Sequence, residues 1–157
     1  WMVLDTKQFT MRTGSRTFEA AAFLRRSGAD TGDVKKLFQN DLEGTIAKYS
    51  IIQNAKMYRE GIAVAVVDHT VGRITAAQAA DELLNIIGID TSFVLYPDGD
   101  RVIVSARSIG EVNVQVILEK LGGGGNAAAA GGQIPDKSLT QVAQELAQAI
   151  DQYLEDE

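Results

Sequence analysis

Ser92-Phe93-Val94-Leu95-Tyr96-Pro97-Asp98-Gly99-Asp100-Arg101-Val102-Ile103-Val104-Ser105-Ala106 decides the fold of this chain. Two β-rich runs flank Pro-Asp-Gly, whose fixed φ at proline and permissive φ at glycine suit a tight reversal. The pattern predicts a hairpin. Upstream, Ile62-Ala63-Val64-Ala65-Val66-Val67 is a continuous apolar run, as expected of a strand buried on both faces. Between the two, Thr75 is placed to cap a helix with Ala76, Ala80, Leu83, Leu84 and Ile87 on one face, and Gly88 to end it.

Downstream of the hairpin, Val114, Ile117, Leu118 and Leu121 recur at helical spacing, and Gly122-Gly123-Gly124-Gly125 follows at once. Residues 131–135 read as one more short strand. Ser138 with Gln141 forms a capping box for a last helix, whose seam is Leu139, Val142, Leu146, Ile150 and Leu154. From Gly61 the order is β-α-β-β-α-β-α. That order predicts an α/β domain, a mixed β-sheet with packed helices.

Residues before Gly61 have helical character. Thr17 to Leu24 is one segment, stopped by Gly28; Thr31 caps a second, with Val34, Leu37 and Phe38 on one face. A third is expected from Asp41 to about Lys56, with Leu42, Ile46 and Tyr49 as its apolar face, and serves as a connector. The expected division is residues 1–57 and 58–157. The chain opens Trp1-Met2-Val3, already apolar and without an initiator methionine, and reads as an excerpt of a longer protein.

Composition narrows the chemistry. A net charge of −6 over 157 residues disfavours a long duplex nucleic-acid track. The absence of cysteine removes disulfides, thiolate catalysis and cysteine-held metals. No apolar run reaches the roughly 18 residues of a membrane helix, so no membrane contact by this stretch is expected.

Four candidate sites remain. The glycine run costs backbone entropy, and two readings compete for it: a flexible linker, or a nest of bare N–H groups for phosphate oxygens. A helix running into it and a capped helix following it weigh against the linker. Arg107 ends an apolar strand and can aim a fork of donors at a phosphate beside that loop, or be an ordinary solvated arginine. Asp68-His69 contains the single histidine; one histidine and one acid do not make a metal site, and both suit a loop. Asp5 follows an apolar run, where a carboxylate serves either as a metal ligand or as a cap.

Leu4-Asp5-Thr6-Lys7-Gln8-Phe9 and Arg12-Thr13-Gly14-Ser15-Arg16-Thr17-Phe18-Glu19-Ala20-Ala21 resemble the end of a DHH phosphoesterase domain. Ala106-Arg107-Ser108-Ile109-Gly110 and Leu121-Gly122-Gly123-Gly124-Gly125-Asn126 resemble the DHH-associated substrate domain that follows it. The likeness spans nearly the whole chain. It is nearest to the cyclic-di-AMP phosphodiesterases of the GdpP type, bacterial membrane-anchored signalling enzymes. The resemblance implies a remnant of the DHH domain in residues 1–57 and a substrate-binding domain in 58–157. It implies hydrolysis of cyclic-di-AMP to pApA by a two-manganese centre, with Asp5 as one metal ligand and the remaining ligands upstream of Trp1. It implies substrate binding by Arg107, Gly122, Gly123, Gly124, Gly125 and Asn126. Asp68-His69 lies in the wrong place for the family's metal motif.

The family's loop ends in histidine, where this chain has Asn126, a natural or an engineered difference. Asparagine donates a hydrogen bond but carries no proton for catalysis and no positive charge. The chain alone is expected to be inactive, one carboxylate being too few for two metals. Two alternatives stay open: a RecJ-like or short-oligonucleotide phosphoesterase, and a non-catalytic structural or dimerising module. A homodimer and a cytoplasmic location beside a membrane anchor belong to the same expectation.

Overall fold

The structure is a computed structural model and describes residues 42–157. The helices expected around Thr17–Leu24 and Thr31–Phe38 and the carboxylate of Asp5 lie outside the described residues.

The predicted hairpin is the centre of the sheet. Strands β3 (Thr91–Asp98) and β4 (Arg101–Ser108) pair antiparallel, with Asp98 opposite Arg101 and Gly99 at φ +63° in the turn. Strand β2 (Ile62–Val66) lies parallel to β3, joined to it by helix α2 (Arg73–Leu83). On the far side β4 pairs antiparallel with β6 (Ala129–Pro135). Two further strands stand at the edges: β1 (Ala55–Arg59) beside β2, and β5 (Gly124–Gly125) beside β6. The order is β1-β2-β3-β4-β6-β5, a mixed sheet as expected.

Helices cover both faces. Against one face lie α3 (Val114–Glu119) and α4 (Leu139–Asp156), burying Ile117, Leu118, Leu146 and Ile150 on Phe93, Leu95 and Val104. Against the other lie α1 (Leu42–Gln53) and α2, burying Ile51, Ala76, Ala80 and Leu83 on Ala65, Val94, Tyr96 and Ile103. Each large side chain so buried is worth about 1.5–3 kcal/mol. Alternation along β4 sends Val102, Val104 and Ala106 to the α3–α4 side and leaves Ile103, Ser105 and Arg107 on the α2 side.

Helix ends follow local chemistry. Ser138 and Gln141 close the expected capping box on α4. Asn113 caps α3, its Oδ1 accepting from the amides of Gln115 and Val116 at 3.0 and 3.4 Å. The Tyr153 hydroxyl of α4 accepts from the Asn113 amide at 3.0 Å, joining the two helices.

Several expectations are corrected. The connector helix ends at Gln53, and Ala55 and Lys56, expected in its last turn, instead open an edge strand, Ala55–Arg59. Leu42, Ile46 and Tyr49 do not form the buried face of α1: all three are exposed, while Ile51 and Lys48 are buried. Lys48 lies 3.8 Å from Glu82 of α2 and 5.1 Å from the Tyr49 ring. Thr75 is inside α2, whose N-cap is Gly72 without a side-chain cap. That helix finishes at Leu83, so Ile87 falls past its end and is 100% exposed.

Candidate functional site

The glycine run is not a linker. Each of its residues has a different task. Gly122, at φ +89°, ends α3: its N–H donates to the Glu119 carbonyl at 3.1 Å, and the Gly123 N–H donates to the Leu118 carbonyl at 2.8 Å. This pair of bonds is a Schellman termination, which favours glycine at the left-handed residue. Gly123 then passes so close to β6 that a Cβ would strike the Gly131 carbonyl. Gly124 and Gly125 form β5, opposite Gly131 and Ala130. A Cβ on Gly125 would collide with Ala129 and Ala130; one on Gly124 would meet nothing within 4 Å.

Asn126 closes the β5–β6 turn. Its Oδ1 accepts from the amides of Ala128 and Ala129, both at 2.9 Å, and its own N–H donates to the Ala129 carbonyl at 2.8 Å. The turn is tied down by the Ser108 amide donating to Ala128 and the Val114 amide to Ala127, at 2.9 and 3.1 Å. An aspartate or asparagine is suited to this role because its short side chain mimics a backbone acceptor. With Oδ1 so engaged, the Nδ2 group is what Asn126 can offer a ligand.

A groove of about 430 Å³ lies on the α2 side of the sheet, beyond the end of that helix's cover. Its floor is Ser105, Gly131 and Gly132 with Ala129, its outer wall Gly124 and Gly125, and Arg107 and Arg73 stand within it. The structure thus brings Arg107 together with Gly124 and Gly125. Gly122, Gly123 and Asn126 do not line this groove, and the amides of all three are engaged within the chain. Of the four glycines, Gly124 and Gly125 line the groove.

Arg107 is held rather than free in solvent. Its Nε lies 3.5 Å from Oδ1 of Asp81 in α2, the two side chains being 21% and 25% exposed, and its Nη1 donates to the Ala106 carbonyl at 2.8 Å. A guanidinium has five N–H donors, so this anchorage leaves further donors on a side chain that lines the groove. Arg73 was not legible as a site residue. It belongs to no motif and reaches the groove because α2 begins one residue after Gly72. It lies beside the Tyr96 hydroxyl: burial pushes the Tyr96 phenol upward, and the Arg73 cation draws it partly back.

Asp68 and His69 lie apart from this groove, at the end of β2. His69 Nδ1 is 3.0 Å from Asp68 Oδ1, both side chains are exposed, and the contact holds the Asp68 carboxyl below its ordinary range. They suit the loop role expected of them. Among the described residues no three histidine, cysteine, aspartate or glutamate side chains converge as a metal site. The described residues therefore do not by themselves fit a two-metal centre, and Asp5 is outside them. Among the described residues no helix is long and apolar enough to cross a membrane.

Comparison with known proteins agrees with this architecture. Residues 59–156 match the DHHA1 domain. The chain belongs to the DHHA1-domain family. It is 43% identical over 155 residues to the cyclic-di-AMP phosphodiesterase PdeA of Listeria monocytogenes, covering 97% of this chain and 24% of that protein. It is 44% identical over 157 residues to the cyclic-di-AMP phosphodiesterase GdpP of Geobacillus thermodenitrificans, covering 98% of this chain and again 24% of the relative. The chain thus spans about a quarter of the length of these relatives. Among solved structures, an exopolyphosphatase-related protein from Bacteroides fragilis shares the fold, with a TM-score of 0.67, 21% identity, and coverage of 97% of this chain and 48% of that one.

Proposed function

We propose that this chain is the substrate-holding part of a phosphodiesterase that opens cyclic-di-AMP to pApA. The observation that carries the reading is the groove in which Arg107 faces the Gly124–Gly125 edge across a floor of small residues. Arg107 neutralises phosphate charge with a fork of donors. The two glycines let a phosphate approach the backbone where any side chain would hold it away. Asn126, just outside the groove, offers Nδ2 to a ligand that extends over the turn. The two relatives named as cyclic-di-AMP phosphodiesterases support the substrate class.

Manganese belongs to the proposal for the whole protein, where it would supply an activated hydroxide and neutralise charge on the phosphorus centre. Asp5 is the ligand this chain would contribute. The chain by itself is accordingly proposed to bind without hydrolysing. Membrane anchorage of the whole protein rests on the resemblance alone.

Isothermal titration of the 157-residue chain with cyclic-di-AMP, pApA and an eight-nucleotide RNA tests the reading. Binding of the two adenine dinucleotides, with R107Q weakening it about tenfold or more, is expected for loss of hydrogen bonds to a charged group. Tighter binding of the octamer would move the assignment to oligonucleotides. No binding of any of the three would overturn it.

A further inference from the structure

The groove has two ends. Side chains cross the sheet in rows on its α2 face: Ser92, Arg107 and Ala129 in one row, and Tyr96, Ile103 and Gln133 in another, four residues back along β4. At a rise of ~3.3 Å per residue the rows stand about 13 Å apart. Between them the floor is Ser105 and Gly131, with Gly124 alongside. These residues are small and uncharged, so nothing divides the groove.

The second end is also rich in donors. Arg73 overhangs it from the first residue of α2 and lies beside Tyr96, which is 2% exposed and too tightly packed to swing away. Arg101 projects from the same face of β4, and its Nη1 donates to Gln133 Oε1 at 2.6 Å. That bond occupies Oε1, so what Gln133 can offer a ligand is the Nε2 donor group. The nearby carboxylates are Asp81, paired with Arg107 at the first end, and at the second Asp98, which acts on Tyr96, and Asp100, 4.0 Å from the Arg101 Nε. The residues that line the groove include two arginines, Arg73 and Arg107, and no carboxylate, in a chain of net charge −6. One phosphate needs only the Arg107 end. A second arginine across an uncharged floor suits a ligand with a second anionic group.

We propose that Arg73, seated on Tyr96, is a second anion-binding residue of this groove and takes the second phosphate of a dinucleotide whose first phosphate sits at Arg107. The inference rests on the reading of the groove as a dinucleotide site. It adds a counting function: two arginines lining one groove favour ligands with two phosphates over mononucleotides.

Isothermal titration of the full chain with pApA and with AMP, for wild type, R73Q, R73K and R107Q, separates this inference from the reading beneath it. R73Q is expected to weaken pApA about tenfold or more while changing AMP less than twofold, the first being the scale for loss of a charge-assisted hydrogen bond. R73K should recover part of the loss, since lysine keeps the charge without the fork. R107Q should weaken both ligands. Thermal melting of each variant checks the fold, and R73K carries the test if R73Q loosens the Tyr96 packing.

If R107Q weakens pApA and R73Q leaves it within twofold, the second site is overturned and the first stands. Equal loss of AMP and pApA in R73Q also overturns it. If R107Q changes nothing, or wild type binds neither ligand, the dinucleotide reading of the groove falls and this inference falls with it.

Discussion

Gly123, Gly124 and Gly125 are chemically identical neighbours held under different constraints. A methyl group on Gly123 or Gly125 would enter backbone atoms of β6, while one on Gly124 would enter open space. Backbone cannot yield as a flexible side chain can, so G123A and G125A should each cost about 1–3 kcal/mol, the usual range for overpacking. G124A should lie within about 0.5 kcal/mol of wild type, as exposed changes generally do. Chemical denaturation of the three variants checks this ordering; equal stability of all three would contradict the close approach of β5 to β6. The same substitutions separate stability from binding. Gly124 lines the groove, so its alanine should hold the fold and still hinder a phosphate. At this scale the sequence was only partly informative. Four like letters mark a special backbone, but which of them cap a helix and which line a groove depends on Gly131 and Ala130 across the sheet. Arg73 was invisible for a related reason: only the start of α2 beside Tyr96 gives an ordinary helix arginine a place in the groove.

Strand β1 shows what holds an element whose own sequence is weak. Ala55-Lys56-Met57-Tyr58-Arg59 has no clean alternation and is almost wholly exposed, which is why its first two residues read as the tail of a helix and the rest as no strand. Two side-chain attachments tie it to α4. The Arg59 Nη2 and Nε groups donate to Asp151 Oδ1 at 2.8 and 3.1 Å, and the Tyr58 hydroxyl donates to Oδ2 at 2.9 Å. Arg59 first, and Tyr58 second, hold the Asp151 carboxyl below its ordinary value. A depressed folded value means that the stabilisation is present above the unfolded carboxylate value, about 3.9, and is lost as pH falls through the lowered one. D151N removes it at every pH. The melting temperatures of wild type and D151N should therefore differ at pH 7 and converge as pH falls below about 4. A difference that stays constant from pH 7 to pH 2.5 would contradict the clamp. By contrast, the β3–β4 hairpin was legible throughout, because Pro97-Asp98-Gly99 and two apolar runs specify both the turn and its flanks. Helix α4 was equally plain in its capping box and seam, although Ala149 and Tyr153 replace Leu139 and Leu154 among its buried residues. Strand β5 could not be read, since two glycines carry no strand propensity and pair only because β6 is beside them.

At the scale of the molecule, the sheet divides the labour between its faces. The α3–α4 side is core, with Phe93, Ile117, Leu118 and Ile150 fully buried. The α2 side is core only as far as Ile103; beyond it, over β6 and β5, the sheet is left uncovered and becomes the groove. This uncovered part of the sheet, with Arg107 and the Gly124–Gly125 edge, is where we propose that an adenine dinucleotide binds. Amide NMR of the uniformly 15N-labelled chain during titration with pApA tests it directly. The predicted result is saturable shifts concentrated at Gly124, Gly125, Ala129 and Gly131, with the amides of β1 and α4 unmoved. Shifts centred on the apolar cleft between β1 and α4, around Met57, Val64 and Ala143, or no shifts at millimolar pApA, would contradict it.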